Sequence, residues 1–461
     1  MAPARGSSDL PLEMILMFDI YLPNGSKKAL RQTCKALCRT VRLRIDRTFL
    51  SANPLNITVF RAIADSETYR HSIKEIVWDG ARLISAPLGE FHIADEREDL
   101  WIDPTTGCPE WFVTACRANR ENLDMRISSL SDFKRPYWQN LQQQQADTLR
   151  ANRDADALAY GLRRFSALTR ITITPAAHGL VFIPLYETPM IRAFPRGFNY
   201  PIPRGWPDNA DGPFTPEATP WADEATQSEY RGVGIVLRAL ASHADHRVSE
   251  LCITANTLQT GLNCRIFDAP NAQYADFATV LRRPGFARLD LDLLVRGEEH
   301  VGWPAYRNGL LRSALAEAHD MQHISLATNM DEVSATAPDQ LVPLRTIFPI
   351  KSWPSLRHFS LSQFLVDKDD LVSFLAALAS TLRSRLDWRT RDPAERRVVS
   401  LAKPTLYWRI GHAFWLDKEV QGFLYGEGKN PFWGSGFEVA DEGMVRDAFL
   451  LGAGWKEKNF R

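Results

Sequence analysis

The sequence has no long apolar run, little cysteine and no net charge, and each absence removes a class of function. The apolar stretch from Leu10 to Leu22 spans only thirteen residues and already contains Glu13 and Asp19. A spanning helix needs roughly twenty apolar residues. A secretory leader carries its positive charges ahead of its apolar part, whereas here the basic run follows it. The chain reads as soluble and unprocessed, with no membrane partner. Lys+Arg and Asp+Glu are both 55, so no bulk field favours nucleic acid or anionic lipid. Six cysteines in 461 residues, with no CxxC pair, fit neither a disulfide scaffold nor a zinc site. All six are expected as reduced thiols, in cytoplasm or nucleus.

Catalytic motifs are missing as well. There is no GxSxG and no GxxxxGK[ST], and YGEGKNPFWGSG has the wrong spacing for a dinucleotide fingerprint. His243 and His246 form HxxH, and His319 and His323 form HxxxH, without the Glu or third ligand of a zinc hydrolase. Asp290 and Asp292 alternate with Leu289, Leu291 and Leu293, which places both carboxylates on the outward face of one strand. A solvated face or a contact to a basic partner accounts for them more simply than acid/base chemistry does. No nucleophile, base and orienter assemble. The chain is read as a non-enzyme with no metal and no cofactor.

What is present begins with DLPLEMILMFDIYLPNGSKKALRQTCKALCRTV. Pro11 suits the first turn of a helix and Glu13 lies near its positive end. Pro23-Asn24-Gly25 ends that helix, and Ser26 is placed to cap a second. There Leu30, Cys34, Leu37 and Val41 make one apolar stripe, opposite a solvated basic face of Lys27, Lys28, Arg31, Lys35, Arg39 and Arg42. Two short helices and the apolar turn RIDRTFL cannot form a core alone, so a partner is implied.

The pattern LPxE, an aliphatic run to YLP, then LRxxCKxL resembles the F-box, the helical motif that docks ligase subunits onto the Skp adaptor of cullin-RING ubiquitin ligases. It is carried by Leu10, Pro11, Glu13, Ile15, Leu16, Tyr21, Leu22, Pro23, Leu30, Arg31, Cys34, Lys35 and Leu37. Thr33 stands where an aliphatic is usual, and Phe49 is the nearest substitute for the customary tryptophan. The resemblance implies that Leu10, Pro11, Glu13, Ile15, Leu16, Leu22, Pro23, Leu30, Cys34 and Leu37 bind the adaptor.

Beyond this motif, helix patterns alternate with strand patterns. Val248, Leu251, Ile253, Asn256 and Leu258 fit the leucine-rich-repeat signature LxxLxLxxNxL, as do Met321, Ile324, Leu326 and Asn329. Phe286, Leu289 and Leu291 fit in part, as do Leu168, Ile171 and Ile173, and Leu356, Phe359 and Leu361. Ile73, Ile76 and Trp78 alternate in the same way. Each strand buries alternate aliphatics against a helix, and the Asn is placed to bond neighbouring turn backbone. A stack of such units puts parallel strands inside a curve and helices outside. A generic α/β protein is the simpler alternative.

From 181 to 228 nine prolines exclude regular helix or a central strand, and Tyr186, Phe194, Phe198, Tyr200, Trp206 and Trp221 are interspersed. Such a loop packs its aromatics back on the repeats or offers them to a ligand. Gln142 to Gln145 continue into a helix. SRLDWRTRDPAERRVV and the segment after it break the repeat and read as a closing cap.

The expected fold is α/β: a small N-terminal helical F-box at 1–50, an irregular leucine-rich-repeat-like curved solenoid at 51–384 with the insertion at 181–228, and a C-terminal cap at 385–461. With FRAIA, LRHFSL and FLYGEGKNPFW, the chain resembles the F-box proteins numerous in filamentous fungi. The resemblance implies a substrate receptor that binds a Skp-type adaptor, through it a cullin ligase, and an unidentified protein target. A ligase-independent scaffold and an enzyme on an α/β fold are the alternatives.

Overall fold

In a computed structural model the described residues are 14, 17–18, 21–83, 102–121, 135–207, 216–243, 245–256, 258–329, 341–364, 366–382, 398–401, 413–414 and 444–445. Nine strands form one open parallel sheet: β1 (Arg47–Ser51), β2 (Glu75–Asp79), β3 (Arg170–Thr174), β4 (Glu250–Ile253), β5 (Leu262–Asn263), β6 (Arg288–Leu294), β7 (His323–Thr328), β8 (His358–Ser362) and β9 (Val398–Leu401). Neighbours run β1-β2-β3-β4-β6-β7-β8-β9, with β5 beside the end of β6. The order never reverses. Among the described residues the sheet therefore has no switch point of the kind where doubly wound folds bind nucleotides.

The register explains the alternation in the sequence. Ile76, Ile171, Leu251, Leu289, Ile324, Phe359 and Val399 form one row across the sheet. Trp78, Ile173, Ile253, Leu291, Leu326, Leu361 and Leu401 form the next. From Ile76 to Phe359 and from Trp78 to Leu361, both rows are buried in one continuous core. Helices cover this face and advance in step with the strands. Pro54–Asp65 packs on Arg153–Arg164, that on Arg231–Ser242, and so on through Ala272–Leu281, Leu310–Ala316 and Leu344–Ile347 to Lys368–Leu382. Asn53 starts the first of these, its Oδ1 accepting from the Leu55 and Asn56 N–H groups, with Pro54 in the first turn.

A second hydrophobic cluster joins Glu110–Glu121 and Arg135–Arg150 to the proline-rich insertion through Phe112, Cys116, Trp138, Leu141, Met190, Phe198 and Tyr200. Trp206 and Trp221 enter the main core instead. The insertion thus packs its aromatics back on the fold. It also holds two short helices, Pro189–Arg192 and Glu224–Glu229. The first begins on one of the nine prolines, at the position where a missing N–H is harmless, with Thr188 as cap.

Three expectations near the N-terminus are corrected. The stripe from Leu30 to Val41 is not one helix: Asn24–Thr33 stops at Cys34, whose backbone is extended, and Lys35–Thr40 follows. The Cys34 thiol accepts from the Leu37 N–H and caps the second helix. The first begins at Asn24, with Pro23 and not Ser26 preceding it. RIDRTFL is not a turn, because RTFLS pairs with β2 as β1 and so carries the sheet across the boundary drawn at residue 50. At the other end, Val398–Leu401 pairs in parallel with β8, so the sheet extends into the segment read as a cap.

Candidate functional site on the polar face of the sheet

Leu10, Pro11, Glu13, Ile15 and Leu16 lie outside the described residues. Of the remaining residues expected to meet the adaptor, Leu22, Leu30 and Cys34 are half-buried, Pro23 is exposed and Leu37 is buried within this chain. Nearby, Met14, Met17, Phe18 and Tyr21 stand 42%, 66%, 54% and 85% exposed. Lys27, expected on the solvated face, is instead buried, its Nζ donating to the Arg42 carbonyl at 3.2 Å. Arg31 likewise turns inward to the Val41 carbonyl. Both serve to fold the following turn back on the helix.

The face of the sheet away from the helices carries a row of charge. Arg47, Glu75, Arg170, Glu250, Arg288, His323 and His358 stand side by side, one per strand. Arg47 Nε lies 2.6 Å from Glu75 Oε2, and Arg170 Nε lies 2.6 Å from Glu250 Oε2. Arg288 turns along its own strand to Asp290 Oδ2 at 2.6 Å. His323 Nε2 lies 2.8 Å from Asp290 Oδ1. The Arg47–Glu75, Arg170–Glu250 and His323–Asp290 pairs leave no local trace in the sequence, because each joins two strands, whereas Arg288–Asp290 lies within one. The usable signal is positional: in β2, β3, β4, β6, β7 and β8 the row residue immediately precedes the first core aliphatic or aromatic.

The next rows bring Cys252, Asp290 and Asp292 together. Cys252 faces away from the core, as expected, yet it is closed over and its thiol donates to Asp290 Oδ2 at 3.2 Å. Burial, the Asp290 charge and that hydrogen bond all push the thiol well above its ordinary range and so disfavour the thiolate. Burial raises the Asp290 carboxyl, but the His323 and Arg288 contacts overcome this and hold it well below the usual carboxylate range. Asp292 goes the other way. Burial pushes it up to about 6, against the Ala255 N–H and Thr254 hydroxyl that donate to its Oδ2. The two carboxylates therefore do not share one solvated environment. The Oδ2 atoms of both accept hydrogen bonds from protein donors.

At the β1 to β3 end the insertion lies over this face. The Tyr186 ring sits 5.9 Å from Phe49, with the Arg47 guanidinium 5.5 Å from its centre. Beneath, burial pushes Asp79 up to about 7, with the Ala81 N–H and the Arg82 guanidinium opposing. His178 is buried against the Tyr200 hydroxyl at 3.1 Å.

The other histidines singled out by spacing have structural partners. His243 Nδ1 lies 2.9 Å from the Ala239 carbonyl, and His246 Nε2 lies 3.0 Å from that of Leu240. His323 engages Asp290 and not His319. Among the described residues no group of three His, Cys, Asp or Glu side chains is placed to hold a metal ion. A groove of about 610 Å³ runs between the outer helices beside Arg231 and Arg238, but these are bound to Asp154 and Asp276, each at 2.6 Å. A second pocket, about 340 Å³, lies along β1 between Lys28, Arg44 and Arg192. Among the described residues no helix is long and apolar enough to cross a membrane.

No family model matches the chain, and no curated protein matches it.

Proposed function

We propose that the chain is a substrate-receptor subunit of a cullin-RING ubiquitin ligase. It docks on a Skp-type adaptor through its N-terminal helices and holds a target protein against the polar face of the sheet. The observation that carries this reading is the exposure of Met14, Met17, Phe18 and Tyr21 within the LPxE to LRxxCKxL segment. Exposed apolar side chains next in sequence to a short helical pair are what a partner covers. A sheet and helix layer that advance together, one unit per crossover, fit an irregular leucine-rich-repeat solenoid with strands inside and helices outside. The polar row then lies on the inner surface, the side such folds use for binding.

In this reading the chain works by proximity. It raises the local concentration of a target lysine near the charged enzyme and supplies no catalytic residue.

The test is a titration of full-length protein with purified adaptor. Replacing Leu10 and Pro11 by Ala should weaken binding about thirtyfold, as expected for a central apolar anchor. Unchanged affinity rejects the adaptor role. Adaptor binding without cullin recruitment makes the chain a ligase-independent scaffold instead.

A further inference from the structure

We propose that the outer edge of β1 binds an extended segment of a partner protein, with acidic side chains on one face and aliphatic ones on the other. This goes beyond the receptor reading and holds whether or not the N-terminal helices dock on an adaptor. β1 is the end strand of the sheet. Hydrogen bonds from the Lys74 and Glu75 N–H groups to the Asp46 carbonyl, at 2.7 and 3.1 Å, fix which residues face β2. In a parallel pair the N–H and C=O of one residue point the same way and those of the next point oppositely. Asp46, Thr48 and Leu50 therefore face β2, and Arg47 and Phe49 turn their backbone groups outward. Among the described residues nothing bonds to them.

The charge row supplies the side-chain preference. Arg170 stands between Glu75 and Glu250, whereas Arg47 has Glu75 on one side and, among the described residues, no strand on the other. An acidic residue on an added strand opposite Arg47 continues the alternation of the row. The pocket along this edge agrees. Lys28, Arg44 and Arg192, the last also paired with Glu187 at 3.5 Å, surround it with one lining acid, Asp46, while Val59 and Ile63 line its helix side. A charged edge alone serves to block aggregation; a pocket with basic and aliphatic sides is a binding feature.

The insertion limits the length of the site. It crosses near the end of β1, with Tyr186 beside Phe49 and the Met190 N–H bonded to Asn56 Oδ1. The occupant pairs with Arg47 and Phe49 only, so it is short.

A fluorescent peptide of alternating Glu and Val, titrated onto the full chain, tests this. Two further versions carry N-methyl groups on alternate amides, in the two possible phases. Strand addition uses amides of one phase only. One version should therefore lose about tenfold or more in affinity and the other should bind nearly as the parent does. A Lys/Val peptide should bind about tenfold more weakly, and the Lys28→Glu, Arg192→Glu variant should lower Glu/Val affinity about threefold at low salt. Exchange of the Arg47 and Phe49 amide hydrogens should slow on binding. Absence of binding, equal effects of the two N-methyl phases, or protection confined to other strands overturns the proposal.

Discussion

His323 and His358 lie face to face on neighbouring strands, ring centroids 4.0 Å apart and planes 5° from parallel, with Asp290 on the far side of His323. Burial pushes the His358 imidazole down to about 4; the adjacent His323 adds to this and Asp290 opposes it. An unfolded histidine titrates near 6.5. Between these values the unfolded chain binds a proton that the folded chain refuses, so stability is full above about pH 6.5 and falls toward pH 4. The expected loss from this site is on the order of 1–2 kcal/mol, reduced from the bare shift by its partly open setting. Melting temperatures across that range, compared with His358→Phe, measure it. The variant should lose this part of the pH dependence; buried His178, held down to about 3 chiefly by burial, acts in the same sense, whereas Asp79 and Asp292, raised to about 7 and about 6, act in the opposite one in both proteins.

Leu251 and Cys252 are adjacent in β4 and face opposite sides. Leu251 sits in the main core, whereas Cys252 contacts Asp290. Leu251→Ala should cost about 2–5 kcal/mol in denaturant unfolding. Cys252→Ser should cost under about 1 kcal/mol, since the hydroxyl also donates to the carboxylate. Equal losses would mean that the strand is turned over.

The rows of aliphatics were legible because a strand with one buried face repeats every second residue, and Leu289, Ile324 and Phe359 each sit in such a pattern. The partners of the charged row were not, because Arg170 and Glu250 meet only after a long crossover has been folded. Asp290 and Asp292 drew attention as a pair, yet their difference depends on His323 and Thr254, which come from neighbouring segments. The helix break at Cys34 was hidden for another reason: a thiol is a weak acceptor and an uncommon cap. Lys27 looked solvated because helical spacing cannot show that the chain after Val41 folds back over it.

Gly232 and Gly234 lie in the same helix, and only one of them is tight. A Cβ at Gly232 would overlap the Trp78 indole, whereas at Gly234 it would meet only Gln273 Cγ, at 3.9 Å. Gly232→Ala should destabilise by about 1–3 kcal/mol, because Trp78 is itself fixed in the core. Gly234→Ala should be neutral or stabilise by up to about 1 kcal/mol, through helix propensity. Thermal melts of the two variants check both. If they behaved alike, the packing of Arg231–Ser242 on β2 would be wrong.

Asn256 and Asn329 occupy the same position in the LxxLxLxxNxL pattern but do different work. The Asn329 side chain is buried. Its Oδ1 accepts from the Val295 and Arg296 N–H groups at 2.7 and 3.2 Å, and its Nδ2 donates to the Pro216 carbonyl at 3.2 Å. It thus ties the turn after β7 to the turn after β6 and to the end of the insertion. Asn256 is exposed, has a left-handed backbone with φ 55°, and makes one side-chain bond, to Thr174 Oγ1 at 3.2 Å. Asn329→Ala removes the acceptor of the buried Val295 N–H and of the part-buried Arg296 N–H, and should cost about 2–4 kcal/mol. Asn256→Ala loses one part-buried bond and places a Cβ-only side chain at positive φ, about 1 kcal/mol in all. Asn256→Gly should recover most of that loss, because glycine accepts the left-handed conformation. Denaturant midpoints of the three variants separate the roles. Comparable losses for the two alanine variants would show that sequence position and not burial sets the contribution of this asparagine.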